Sequence, residues 1–197
     1  VVVITPMYNA APYIERCINS VVTQDYDNWR MIIIDDRSTD SSFDVAMAAI
    51  EGLGTDKVGL IKNEQNCGAV FNQVSAIEQY CNPEDIVMLL DGDDSLVNDN
   101  QIFQFYNNLY DGTTEFSYGS CWSHCDNIPL IAQPYPRSVK DTGTYREHKF
   151  NWNMPYTHLR TFKAKLIDGV DKDAFKDNQG NWYKAGGDGA WSTSLAR

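Results

Sequence analysis

The chain of 197 residues is short of basic residues, of glutamate and of long apolar runs. Lysine and arginine total 16 against 27 acidic residues, a formal charge of -11. That balance excludes unassisted binding to nucleic acid or to an anionic membrane, while a phosphorylated ligand stays compatible if a metal ion bridges the like charges. Only 7 of the acids are Glu and 20 are Asp, and Asp, a poor helix former, belongs in turns, caps and ligand sites. Purely apolar runs such as Val1–Ile4 and Ile86–Leu90 are far too short to span a membrane. No signal peptide and no Asn-x-Ser/Thr sequon is present. The five cysteines are odd in number and dispersed, which points to reduced thiols and a cytoplasmic setting. Cys121-Trp-Ser-His124-Cys125 resembles half a zinc site, but without a second ligand pair these cysteines read as buried strand residues. The absence of Gly-x-Gly-x-x-Gly, of a Gly-Lys-Ser/Thr loop and of Gly-x-Ser-x-Gly removes the signatures of dinucleotide-binding dehydrogenases, P-loop enzymes and serine hydrolases.

Hydrophobic residues make up 43% of the chain, enough for an ordinary folded core. Apolar strand-like runs at Val1–Thr5, Arg30–Ile34, Val58–Ile61 and Ile86–Leu90 alternate with helical patterns. The first helix has Pro12 in its first turn and Ile14, Cys17, Ile18, Val21 and Val22 at helical spacing. The second is capped around Ser38–Ser41, the third starts at Gly68, and the fourth carries Ile102, Phe103, Tyr106 and Leu109. Strands alternating with helices predict an α/β fold with a mostly parallel sheet flanked by helices. After residue 112 the spacing predicts strands over Glu115–Trp122 and Tyr156–Phe162, a short helical turn at Ala164–Ile167, and a helix starting at Asp188. The stretch Pro129–Pro155 reads as loop with short strands.

In open parallel sheets, ligands sit beyond the carboxyl ends of the strands. The strands here end in Thr5-Pro6-Met7-Tyr8-Asn9, Asp35-Asp36-Arg37-Ser38-Thr39-Asp40 and Asp91-Gly92-Asp93-Asp94, and the third is followed by Asn66-Cys67-Gly68. All would converge on one rim. Three carboxylates within four residues repel one another, and a divalent cation with a preference for hard oxygen ligands, Mg2+ or Mn2+, removes that repulsion. Gly92 allows a tight turn and the close approach of a phosphate. A plain acidic turn with helix-capping Asp residues is the alternative. Asp35 or Asp36 can accept from a nucleobase N–H, and Asp40 suits either a helix cap or a ligand.

These four motifs, in this order and spacing, resemble family 2 glycosyltransferases with the GT-A fold, over roughly residues 1–110. The resemblance implies a nucleotide-diphospho-sugar donor, usually a UDP-sugar. Pro6, Tyr8 and Asn9, with Thr5, Asn66, Gly68 and Gly92 nearby, would line the nucleotide pocket, and Asp35, beside Asp36, would take the uracil N3–H. Asp91 and Asp93 look like the Asp-x-Asp pair, Asp93 as the direct metal ligand and Asp91 nearer the ribose or a metal-bound water, with Asp94 a third candidate. Gly187-Asp188 looks like the acidic acceptor-site motif, with Gly187 where the family has Glu. Asp188 is then the candidate general base, or else a helix N-cap. Tyr156-Thr-His158-Leu-Arg160 resembles a segment near the diphosphate, with His158 a third metal ligand or a structural histidine and Arg160 a phosphate partner. His124 and His148 read as structural. Trp152, Trp182 and Trp191 offer sugar-stacking faces or core packing.

The resulting expectation is one GT-A domain over 1–197, with a Rossmann-like nucleotide-binding half (1–112) and a smaller acceptor-side half (113–197). It would be an inverting, metal-dependent transferase acting on a carbohydrate, lipid-linked or protein acceptor. The chain starts inside a strand-like run and stops just inside a helix, as one module of a longer protein would. Three rivals remain. A sugar nucleotidyltransferase should carry a Gly-rich basic loop where Met7–Pro12 stands, and a haloacid-dehalogenase-type phosphatase should have its Asp pair after the first strand. The third is a nucleotide-sugar-binding module without turnover.

Overall fold

The computed structural model describes residues 1–97, 99–123, 127–144, 157–184 and 187–195. Its centre is a six-stranded sheet. Four strands are parallel: β1 (Val2–Met7), β2 (Arg30–Asp35), β3 (Val58–Lys62) and β4 (Ile86–Leu89). Helices α1 (Ile14–Val22), α2 (Ser42–Leu53) and α3 (Ala69–Tyr80) connect them, and α4 (Ile102–Leu109) follows β4. After β5 (Phe116–Gly119), a separate hairpin of β6 (Cys121–Ser123) and β7 (Ile128–Leu130), and α5 (Arg137–Thr142), the chain returns as β8 (Thr157–Lys163). The strand order is β3-β2-β1-β4-β8-β5, with β8 antiparallel to both neighbours. Two 3-10 turns, Ala164–Gly169 and Lys172–Phe175, lead to α6 (Gly187–Leu195).

The parallel inner strands carry continuous apolar runs, Val2–Ile4, Met31–Ile34 and Ile86–Leu89, because both faces are covered there. Alternate residues feed two cores. Val3, Met31, Ile33 and Met88 pack with Ile14, Cys17, Ile18, Val21 and Phe103 on one face. Val2, Ile4, Ile32, Val87 and Leu89 pack with Val70, Val74, Ile77, Phe162, Phe175 and Trp191 on the other. Residues from both ends of the chain therefore complete one core. In α1, Ile14, Cys17, Ile18 and Val21 are fully buried, the 3.6-residue stripe its sequence shows.

Three boundaries differ from the sequence reading. β1 runs on to Met7 alongside β2, and Pro6, which has no N–H, is tolerated because its N faces the β4 side, where registered strand pairing stops at Ile4. The Pro6 carbonyl faces the β4 side and accepts from Gly92 N at 3.0 Å. α1 begins at Ile14, two residues after Pro12. The segment Glu115–Trp122 is two strands, not one, because the register with β8 shifts between Tyr118 and Gly119 and Cys121–Ser123 turns away to pair with β7.

Candidate active site

The carboxyl ends of β1, β2 and β4 and the start of α3 meet at one rim, as the strand order requires. A cleft of about 180 Å³ opens there, lined by Pro6, Met7, Tyr8, Ala10, Asp36, Ala69, Asp91, Gly92 and Asp93. A wider one of about 510 Å³ is lined by Arg37, Asn63, Glu64, Gln65 and Cys67.

The two adjacent Asp residues ending β2 do different work. Asp36 is buried and saturated. Its Oδ1 accepts from Cys67 N at 2.8 Å and Asn63 Nδ2 at 2.9 Å, and its Oδ2 accepts from Gly68 N at 2.8 Å. Asn66 Nδ2 reaches the Asp36 carbonyl at 3.1 Å. Burial pushes this carboxyl up, but donors on Asn72, Cys67, Asn63 and Gly68 outweigh it and hold it below the usual carboxylate range. Asp36, Asn66 and Gly68 thus lock the loop that opens α3. Gly68 must be glycine: its φ is +89° and a Cβ would lie 3.1 Å from the Tyr183 carbonyl oxygen. Asp35 is also fully buried, but its Oδ1 accepts from Ser38 N at 3.2 Å while Oδ2 is buried without a protein partner. Asp35 itself lines neither cleft, and its unmatched buried acceptor suits a ligand donor.

Asn9 has a positive φ of 53°. It ties the β1 loop to the β2 loop, donating from its N–H to Ser38 Oγ at 3.0 Å and accepting from Thr39 N at 2.8 Å. Tyr8 stands half exposed at the mouth. Thr5 lies inside the core, its hydroxyl buried without a partner, and does not line the cleft. Asp40 accepts from Ser42 N at 2.9 Å and Ala11 N at 3.3 Å, so its carboxylate serves the start of α2.

The acidic turn after β4 is the electrostatic centre. Ligand atoms of Asp91, Asp94 and His158 lie within 4.8 Å of one another. His158 Nδ1 is 3.6 Å from Asp94 Oδ2 and 3.4 Å from an Arg160 guanidinium nitrogen. The sequence reading gave Asp93 as the direct ligand with Asp91 and Asp94 as further candidates; Asp93 lines the cleft, and the group within 4.8 Å holds Asp91 and Asp94. Gly92 permits a close approach, but what approaches is β1, since a Cβ would lie 3.1 Å from Met7 Cβ. Arg160 is buried in β8 behind His158. Below the turn, Cys17 Sγ lies 3.7 Å from the Asp91 carbonyl oxygen. Burial, then the charges of Asp94, Asp91 and Asp93, push this thiol well up and keep it protonated.

Asp188 lies in the first turn of α6. The preceding residue has a packing reason to be glycine, because a Cβ on Gly187 would come within 2.2 Å of Val70 Cγ2. Trp191 packs between Phe162 and Phe175, with ring centroids 5.3 and 4.7 Å away, as a buried core residue, and Trp182 packs partly buried on Phe71 and Phe175. Cys121 is half-buried in β6. His124, Cys125, His148, Trp152 and Tyr156 lie outside the described residues. The sequence reading missed Gln73, whose amide nitrogen is 3.5 Å from Asp91 Oδ1. Its signal was a polar residue inside the Val70, Val74, Ile77 stripe of α3.

The model of the family described as glycosyl transferase family 2 matches residues 2–173. A colanic acid biosynthesis glycosyl transferase of Escherichia coli, WcaA, whose function is itself assigned as putative, is 29% identical over 168 residues, 83% of this chain and 58% of that protein. S. aureus TarS, residues 1–349, has a TM-score of 0.63 and 17% identity over 99% of this chain and 54% of its own; it has also been solved in complex with UDP-GlcNAc. A mannosyltransferase of Pyrobaculum calidifontis, solved in complex with GDP-Man and Mn2+, has a TM-score of 0.60 and 18% identity over 92% of this chain and 52% of its own. The chain spans between about a third and three fifths of the length of the first curated relatives it matches. The mixed sheet, the rim and these matches agree: this chain is a GT-A-fold glycosyltransferase domain and belongs to glycosyl transferase family 2.

Proposed function

We propose that the domain moves a sugar from a uridine-diphosphate sugar to an acceptor hydroxyl with inversion at the anomeric carbon, and that it needs a divalent cation. The observation that carries this reading is the grouping of Asp91, Asp94 and His158, with Asp91 also lining a cleft together with Pro6, Tyr8 and Asp36. The donor set fits the metal. Two carboxylates and one imidazole suit Mn2+, and the carboxylates suit Mg2+. Complexes of the structural neighbours with UDP-GlcNAc, and with GDP-Man and Mn2+, support the same chemistry.

Asp35 Oδ2 accepts the uracil N3–H, which selects a base with a donor at that edge. Asp36 holds the 63–68 loop rigid beside the nucleoside. The cation, when bound by Asp91, Asp94 and His158, would neutralise charge on the departing diphosphate. Arg160 adds fixed positive charge behind His158. The acceptor oxygen attacks C1 from the face opposite the diphosphate, the C1–O bond breaks with its electron pair leaving on the diphosphate, and Asp188 takes the acceptor proton. Purified protein incubated with Mn2+, a panel of UDP- and GDP-sugars and candidate glycan acceptors should release UDP, with release lost in EDTA and restored by Mn2+. Equal release in chelator would overturn the cation requirement, and GDP release alone would overturn the uridine assignment.

A further inference from the structure

A hydrogen-bond chain, buried at its Trp191 end, joins α6 to the acidic turn. Trp191 Nε1 donates to Gln73 Oε1 at 2.7 Å, and Gln73 Nε2 faces Asp91 Oδ1 at 3.5 Å. Trp191 is 1% exposed and Gln73 3%, so water does not compete for the indole bond, while the Gln73–Asp91 contact is part-buried at the cleft. The chemistry fixes the direction. An indole N–H only donates, so it must meet the carbonyl end of the Gln73 amide, which leaves the donor end for the carboxylate. Phe162 and Phe175 clamp the indole on both sides and keep its N–H aimed at α3.

We infer that Trp191 and Gln73 are positioning residues that hold the Asp91 carboxylate in its cation-binding orientation and tie it to the helix that carries Asp188. The inference rests on the reading of Asp91 as part of the cation site. Trp191 lies three residues after Asp188 on α6, so one side chain sets the donor-side carboxylate and anchors the acceptor-side helix. No charge is added at the cation by this pair; it supplies a fixed dipole and a fixed rotamer. Hydrogen-bond partners of metal ligands that act in this way typically govern metal affinity by 10–100-fold.

The experiment measures Mn2+ affinity by calorimetry in the presence of UDP, with the thermal midpoint of each variant alongside. Trp191→Phe keeps the ring between Phe162 and Phe175 and removes only the N–H. Gln73→Met keeps the length and removes both polar atoms. Each is expected to weaken Mn2+ binding by roughly 10-fold, and the double variant no more than the weaker single, since the two act in series. A purely structural pair would lower the midpoint and leave the affinity of the folded protein at the wild-type value; that result overturns the inference. Should Gln73→Met fail to fold, Trp191→Phe decides. Asp91→Asn separates the two levels: Mn2+ binding that survives it overturns the site reading itself. Binding lost in Asp91→Asn but intact in Trp191→Phe and Gln73→Met overturns only the positioning pair.

Discussion

The rim built by β1–β4 and the region added by β8 and α6 meet at one site but are organised differently. On the rim, polar residues contact partners from loops adjacent in space, and the fold of parallel crossovers dictates which loops those are. Asp36 holds the 63–68 loop, and Asn9 holds the 38–39 loop. In the added region, the contribution passes through buried side chains far apart in sequence, as in the Trp191 to Gln73 bond across 118 residues. A rim follows from topology, whereas a relay depends on side-chain packing that no local pattern encodes.

The largest expected effect tests whether the added region contributes chemistry or only walls. Asp188→Asn keeps shape and hydrogen-bonding capacity in the first turn of α6 but cannot take a proton. Transfer should fall by roughly 10²–10⁴-fold, the span that general-base catalysis contributes, while UDP affinity stays at the wild-type value. Calorimetry with UDP and a UDP-release assay measure the two separately. Unchanged turnover would remove Asp188 from the mechanism and leave the rim to do the chemistry alone.

The same contrast explains what was legible in the sequence. The sheet with its helices was, because Val2–Ile4, Ile32–Ile34 and Val87–Leu89 are apolar on both faces and the helices between them repeat at 3.6 residues. The rim motifs were, because each follows a strand. Their division of labour was not: Asp35 and Asp36 are identical in type and adjacent, and only the position of Cys67, Gly68 and Asn63 tells the saturated carboxylate from the unmatched one. The nearness of Asp94 to His158 follows from where His158 falls, which the pairing of β8 with β4 decides. Gln73 was hidden because a polar residue on a buried stripe gives no hint of its partner.

Two matched substitutions sharpen the comparison within the rim. Asp36→Asn should cost about 2–3 kcal/mol of stability, since its new amide nitrogen faces buried N–H donors that a charged acceptor had satisfied. Asp35→Asn should leave stability nearly unchanged and instead weaken UDP binding, by roughly 10-fold, as expected for losing one charge-assisted bond. Urea unfolding and UDP titration of both variants give the four numbers; a reversed pattern would exchange the two roles. The pH dependence has a definite sign. The folded Asp36 carboxyl lies below its unfolded value near 4, so its stabilisation is complete above that value and is lost as pH falls through the folded one. Wild-type stability should therefore drop, as pH falls below about 4, by more than that of Asp36→Asn.

The smallest expected effect concerns the junction of the two regions. Gly187→Ala would normally favour a helix by about 0.5–1 kcal/mol. Here the added Cβ meets Val70 Cγ2, and overpacking of that kind costs about 1–3 kcal/mol. The net should be a loss of about 1 kcal/mol. In a Val70→Ala background the obstruction is gone, and the same Gly187→Ala should become neutral or stabilising. The sign change across the cycle, read from urea midpoints of the four proteins, measures the contact itself. An equal effect of Gly187→Ala in both backgrounds would mean that α6 does not press on α3 there. The glycine at this position would then have no packing cause.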